Sequence, residues 1–230
     1  SMAADRDFLG AHQKLAAMPD VPPLLRTRVF DIKQDLARAQ GLEGPFLMRV
    51  DEGGEQLVMR GESFSIGNLR HAQADLPLLA NLAGRPAPIH RSMSFHGGMQ
   101  DSIVAEEGEV QVGAQQVRKH VLQSGDKVQL GPALRVLYQK PTTRSLTSRL
   151  LLQGGFQVAG TDRILLMKDR GRDGRILIGP GNDAHVPVAK ATGEVEIVSN
   201  TSGQMRVFSE QGGSIDGTVF KGEHPVAAGQ

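Results

Sequence analysis

The chain has 230 residues, enough for one or two domains with real cores. Its 26 basic and 25 acidic residues leave a formal net charge of +1, without the basic excess a nucleic-acid binder gathers on one face. Eight Phe, one Tyr and no Trp offer few rings for stacking bases, and the absence of Cys excludes disulfides and thiolate metal sites. No apolar run approaches the roughly 18–20 residues that span a bilayer. These features point to a cytoplasmic protein that binds through polar loops, with no membrane or nucleic-acid partner.

Residues 1–43 read as a helical hairpin, opening on Ser1-Met2, which resembles a remnant of tag removal. Phe8, Leu9, His12, Leu15 and Ala16 share one helical face, and Met18 to Pro23 forms a break in which Asp20 can cap the second helix. Leu25, Val29, Ile32 and Leu36 then recur at helical steps, and Gly41 is a stop.

From Gly44 the pattern changes to short apolar or alternating runs between Gly-rich turns. Phe46–Val50, Gln56–Met59, Ser63–Ile66, Val110–Val112, Lys127–Leu130, Leu134–Leu137, Ile164–Met167 and Ile176–Ile178 all read as strands. With 28 glycines, the expected fold class is mainly β, an antiparallel sandwich. The Lys168–Arg175 stretch reads as a charge-rich, solvated hairpin turn.

The β region repeats itself in order. Phe64-Ser65-Ile66-Gly67 is echoed by Ile176-Leu177-Ile178-Gly179, and Ala74-Asp75 by Asn182-Asp183. Leu78–Arg91 then lies without a gap over Val186–Ser199, so that Ile89 meets Ile197. Gly113-Ala114 falls against Asp216-Gly217, and Leu122–Asp126 against Val226–Gln230. The expected domains are therefore 44–141 and 142–230. The second reads as truncated at its C-terminus, without the strands that follow the Gly125-Asp126 turn in the first; a shortened chain or a disordered tail is the expected cause, and an incomplete sandwich would leave edges that invite another chain.

Ser65-Ile66-Gly67, Ala74–Leu78, Ala87-Pro88-Ile89 and above all Leu122–Gly131, with its Gly-Asp turn before a strand ending in Leu-Gly, resemble a forkhead-associated (FHA) domain. The resemblance covers roughly residues 45–140, with a fainter image over 150–230, in the style of FHA-like proteins of planctomycete-type bacteria. It implies a β-sandwich of about eleven strands whose loops at one end bind a phosphothreonine peptide.

The family's phosphate-binding signatures are altered here. Where members carry Gly-Arg, this chain has Gly67-Asn68; where they carry Ser-x-x-His, it has Ala83-Gly84-Arg85-Pro86; and where they carry Asn-Gly, it has Gly113-Ala114. Losing one charge-assisted and one neutral hydrogen bond lowers phosphate affinity roughly a hundredfold or more. Arg70 and Arg85 lie near the right loops as substitutes. The second copy has Gly179-Pro180 and Ala191–Glu194 (with Thr192) at the matching places, and its Asp216 sets a carboxylate where a phosphopeptide backbone would run.

No phosphate loop, nucleophile elbow or His-Glu-x-x-His pattern is present, and the seven histidines have no ligand spacing. The expectation is a non-enzymatic adaptor without cofactor or metal, binding a protein partner independently of phosphate in at least one copy. The alternative is a phosphothreonine reader in bacterial Ser/Thr kinase signalling that uses Arg70 and Arg85. The candidate binding loops are Asn68, Arg70, Ala83, Arg85 and Gly113, with Thr192 and Asp216 in the second copy.

Overall fold

The computed structural model describes residues 45–226 apart from 69–73, 79, 81, 83–86, 94–98, 106–109, 169–170 and 200–203, and apart from the side chains of 93, 99 and 171–173. The helical hairpin expected over 1–43 lies outside the described residues. Those described are mainly β, in three sheets, and contain no helix.

Eleven strands come first: β1 (Phe46–Val50), β2 (Gly54–Arg60), β3 (Ser63–Asn68), β4 (Leu76–Leu78), β5 (Ala87–Met93), β6 (Met99–Val104), β7 (Val110–Val112), β8 (Gln115–Gln116), β9 (Lys119–Val121), β10 (Lys127–Leu130) and β11 (Leu134–Gln139). Seven follow: β12 (Ser148–Gln153), β13 (Arg163–Met167), β14 (Gly171–Gly179), β15 (Val186–Pro187), β16 (Val195–Ser199), β17 (Met205–Ile215) and β18 (Thr218–Val226). Every strand expected from the sequence is present. The Lys168–Arg175 stretch is not a simple turn, because β14 already begins at Gly171.

A central sheet runs β1-β2-β13-β12-β11-β10-β7-β8, and two outer sheets run β4-β3-β5-β6-β9 and β15-β14-β16-β17-β18. The central sheet therefore takes strands from both sides of residue 142. Its second and third strands, β2 and β13, lie side by side and parallel, with Leu57 beside Ile164 and Met59 beside Leu166. Side chains alternate across a strand. Leu57, Met59, Ile164 and Leu166 accordingly pack with the first outer sheet, while Val58, Leu165 and Met167 pack with the second. Burial on both faces explains why these two segments read as continuous apolar runs.

The two outer sheets share one plan. In each, the first long strand pairs in parallel with a very short strand and antiparallel with the next: β3 with β4 and β5, β14 with β15 and β16. Phe64 faces Ile89 as Ile176 faces Ile197, Ile89 faces Ile103 as Ile197 faces Val207, and Ile103 faces His120 as Val207 faces His224. The sequence alignment of Ile89 with Ile197 agrees with this register.

Its placement of Leu78 over Val186 does not. Ile66 pairs with Leu76, ten residues on, and Ile178 pairs with Val186, eight residues on. Leu76 is thus the counterpart of Val186, and Asp75 the counterpart of His185 rather than Asp183. The connections before and after the short strand are each two residues shorter in the second half, whereas the sequence match had put all four missing residues before it.

The strands on either side of this parallel pair also divide by half. Leu150 and Leu152 of β12 belong to the core of the first outer sheet, and Phe46, Met48 and Val50 of β1 to that of the second. A rotation of half a turn about an axis along the strands, between β2 and β13, exchanges these hairpins and the two faces. Each outer sheet thus rests on the outer strand of the hairpin that precedes the other. The β1–β2 turn is pressed onto the second half: a Cβ on Gly53 would meet Val186 Cγ1 at 2.7 Å, so only glycine fits there.

Candidate functional site

Of the loop residues singled out from the sequence, Arg70, Ala83 and Arg85 lie outside the described residues. Asn68 ends β3, half-buried, and its Nδ2 donates to the carbonyl of Ala80 at 2.7 Å. This amide ties the end of β3 to the chain beyond β4. Gly113 stands in the exposed turn between β7 and β8 at φ +60°, and its N–H donates to the carbonyl of Lys127 at 3.0 Å. Asn68 and Gly113 therefore sit on different sheets.

In the second half, Thr192 is exposed on the connection from β15 to β16. Asp216 (φ +47°) and Gly217 (φ +77°) make the β17–β18 turn, both in the left-handed conformation that suits the twist of a two-residue hairpin. Gly113 and Asp216 are thus both hairpin-turn residues, as their alignment implied.

Behind these loops each outer sheet has a clasp. In the first, Asp75 Oδ2 accepts from the N–H and hydroxyl of Ser65 at 2.8 and 2.7 Å, fastening the return from β3 to β4. The counterpart N–H in the second, that of Leu177, donates to His185 Nδ1 at 3.0 Å. With Nδ1 accepting, the ring proton is on Nε2, which donates to the Thr147 carbonyl at 3.1 Å. His185 is fully buried, and burial lowers its pKa from 6.5 to about 4, so the ring is neutral.

The strongest polar cluster joins the first outer sheet to the central one. Arg91 of β5 donates from Nε to Asp101 Oδ1 of β6 at 2.7 Å, and its other two nitrogens donate to the carbonyls of Leu166 and Leu146. Asp101 Oδ2 accepts from Tyr138 Oη at 2.8 Å and Ser148 Oγ at 2.6 Å. Burial, reinforced by Asp101, pushes the Tyr138 pKa up, so this phenol donates at any ordinary pH. The counterpart of Arg91 in the second half is Ser199, whose hydroxyl accepts from Arg60 of β2 at 3.1 Å. An Arg bridge thus recurs with its origin changed, and a sequence alignment alone does not reveal it.

Chemically, this cluster is a fastener. Every strong donor and acceptor in it is taken up inside the protein, and the small enclosed gap nearby is lined by Ile66, Ile89, Ile103 and other apolar groups, with no room for a water. No group of three His, Asp or Glu side chains able to hold a metal occurs among the described residues.

The two outer sheets differ most in how well their inner faces are covered. Leu78, Ile89 and Leu122 are 0%, 1% and 4% exposed, packed with Val128, Leu130, Val136 and Tyr138 of β10 and β11. Their counterparts Val188, Ile197 and Val226 are only half-buried. Among the described residues, no strand lies beyond β1 where β11 lies beyond β12.

Comparison with known protein families, with characterised proteins and with solved structures finds no match to this chain.

Proposed function

We propose that this protein is a non-enzymatic adaptor built on an FHA-like sandwich and an incompletely covered second copy, and that it binds a protein partner without requiring phosphate in at least one copy. The strands from β2 to β11, divided between the first outer sheet and the central sheet, support the sandwich that the resemblance implies, with β12 and β13 also entering its central sheet. The observation that carries the functional reading is the inward engagement of Asn68. The residue standing where the family has its phosphate-binding Arg spends its amide on the Ala80 carbonyl and brings no positive charge. In the second copy, Asp216 adds a negative charge in an exposed turn, which repels a phosphorylated ligand.

The test is a titration of a degenerate phosphothreonine peptide library against the full chain and against an Arg70→Ala/Arg85→Ala variant. Peptide binding is expected to be absent or indifferent to phosphate. Saturable binding that needs the phosphate and disappears in the variant would make the protein a phosphothreonine reader instead.

A further inference from the structure

The connector between β11 and β12 is fastened differently from the sheets. Among the described residues, no backbone ladder joins residues 142–147 to a strand. Side chains hold this stretch instead. On the first half, Arg91 donates to the Leu146 carbonyl at 2.6 Å. On the second, Thr147 Oγ1 donates to the Gly174 carbonyl at 3.0 Å, and Ser145 Oγ to that of Arg175. Both acceptors lie where the register of β14 with β16 shifts, between Gly171 and Ile176. The connector thus caps carbonyls on an irregular part of β14.

His185 closes this seam. It directly precedes β15, which pairs with β14 only at Ile178–Val186 and Gly179–Pro187, so few ladder bonds hold its segment. Its Nδ1 accepts from Leu177 of β14, and its Nε2 donates to the Thr147 carbonyl of the connector. One ring therefore ties β14, the β15 segment and the connector together. It does so only when neutral, because a protonated imidazole has two N–H donors and cannot accept from Leu177. The charged groups around it are Arg149 of β12, Arg144 of the connector and Glu194 before β16. Arg149 Nη1 donates to the His185 carbonyl at 3.0 Å, while Arg144 engages both Glu194 and Asp183. Two guanidiniums against one engaged carboxylate give a protonated ring little support in the closed state.

We propose that His185 is an acid-sensitive latch: its protonation releases the connector and the β15 segment from β14 by local opening, while the three sheets stay folded. The inference goes beyond the adaptor reading and does not depend on it. Opening exposes the ring to water, where it titrates near its ordinary 6.5 instead of about 4. The latch therefore stays shut above pH 6.5 and weakens progressively as pH falls from there toward 4. Between about pH 7.5 and about pH 5 the opening equilibrium should rise about thirtyfold.

The test is residue-resolved amide exchange of the full chain at those two pH values, in zero and low urea, with each rate divided by its intrinsic value. Leu177 and Thr147 report the latch, since their N–H groups bond to the side chains of His185 and Ser145. Gly125, bonded to the Tyr138 carbonyl, is the local control, and the β11–β12 ladder reports global unfolding. The two reporters should exchange faster than the ladder, ignore low urea and lose about thirtyfold in protection in acid, with Gly125 unchanged. His185→Gln, whose amide offers an acceptor and a donor without titrating, should remove the pH response; Arg144→Ala should keep it.

A pH-independent Leu177 and Thr147 in the natural chain would overturn the proposal, whether or not the variants fold. So would a pH response that survives His185→Gln or disappears with Arg144→Ala. Reporters as protected as the ladder and equally accelerated by urea also overturn it, because the connector then opens only with the whole fold.

Discussion

The two outer sheets are built to one plan and finished differently. The first is sealed by six strands of the central sheet and clamped by Arg91–Asp101; the second rests mainly on β1, β2 and β13 and is clamped by Arg60–Ser199. Equivalent apolar positions thus have unequal burial: Ile89 is 1% exposed and Ile197 half-buried. Strand order and register survive this difference because cross-strand pairing sets them locally. Burial does not survive it, because it depends on a layer contributed from elsewhere in the chain.

The sharpest way to break the comparison is at the clamp. Asp101→Ala leaves the Arg91 guanidinium buried without its carboxylate and removes the acceptor of Tyr138 and Ser148. Breaking a buried pair from one side costs about 3–5 kcal/mol, so the midpoint of urea unfolding should fall steeply. A loss below about 1 kcal/mol would mean that water reaches the site.

The second contrast is between the matched core residues. Ile89→Ala should cost about 2–5 kcal/mol, in the range for a fully buried aliphatic side chain, and Ile197→Ala distinctly less in the same unfolding assay. Equal costs would mean that the second inner face is covered after all.

The clasps differ in their response to pH. His185 titrates near 4 when folded and near 6.5 when unfolded. Between those values the unfolded chain holds a proton that the folded chain refuses, so stability is intact above pH 6.5, falls through this window and levels off below pH 4. The total loss from this group is up to about 3 kcal/mol. Urea unfolding across that pH range should show the slope, and His185→Gln should flatten it.

The smallest effect is expected at the surface of the second half. Arg144 reaches Glu194 at 2.6 Å and Asp183 at 3.2 Å, but the Arg144 and Asp183 side chains are 48% and 61% exposed and that of Glu194 is 34% exposed. Arg144→Ala should change stability by less than about 1 kcal/mol, and the difference should fade in high salt.

Much of this architecture was legible in the sequence. Period-two runs marked Lys127–Leu130 and Val110–Val112 to the residue, and the order of five weak echoes led to the matched registers of Ile89 and Ile197. The fusion of the halves was not legible, since Leu57-Val58-Met59 and Ile164–Met167 read as buried strands without saying what lies on each face. The equivalence of Asp75 and His185 was hidden because an aspartate two residues away, Asp183, offered a better chemical match. Nor did Gly67-Asn68 disclose that Asn68 turns inward, because its acceptor is a backbone carbonyl and carries no sequence signature.

The central claim is that, among the described residues, the second half repeats the first without counterparts of β10 and β11 beside β1, and residue-resolved amide exchange of the chain alone tests it most directly. β12, paired on both sides over Arg149–Leu151, should be protected throughout that stretch, while alternate amides of β1 and of Gly213–Ile215 exchange fast. Protection of β1 as complete as that of β12 would contradict the account.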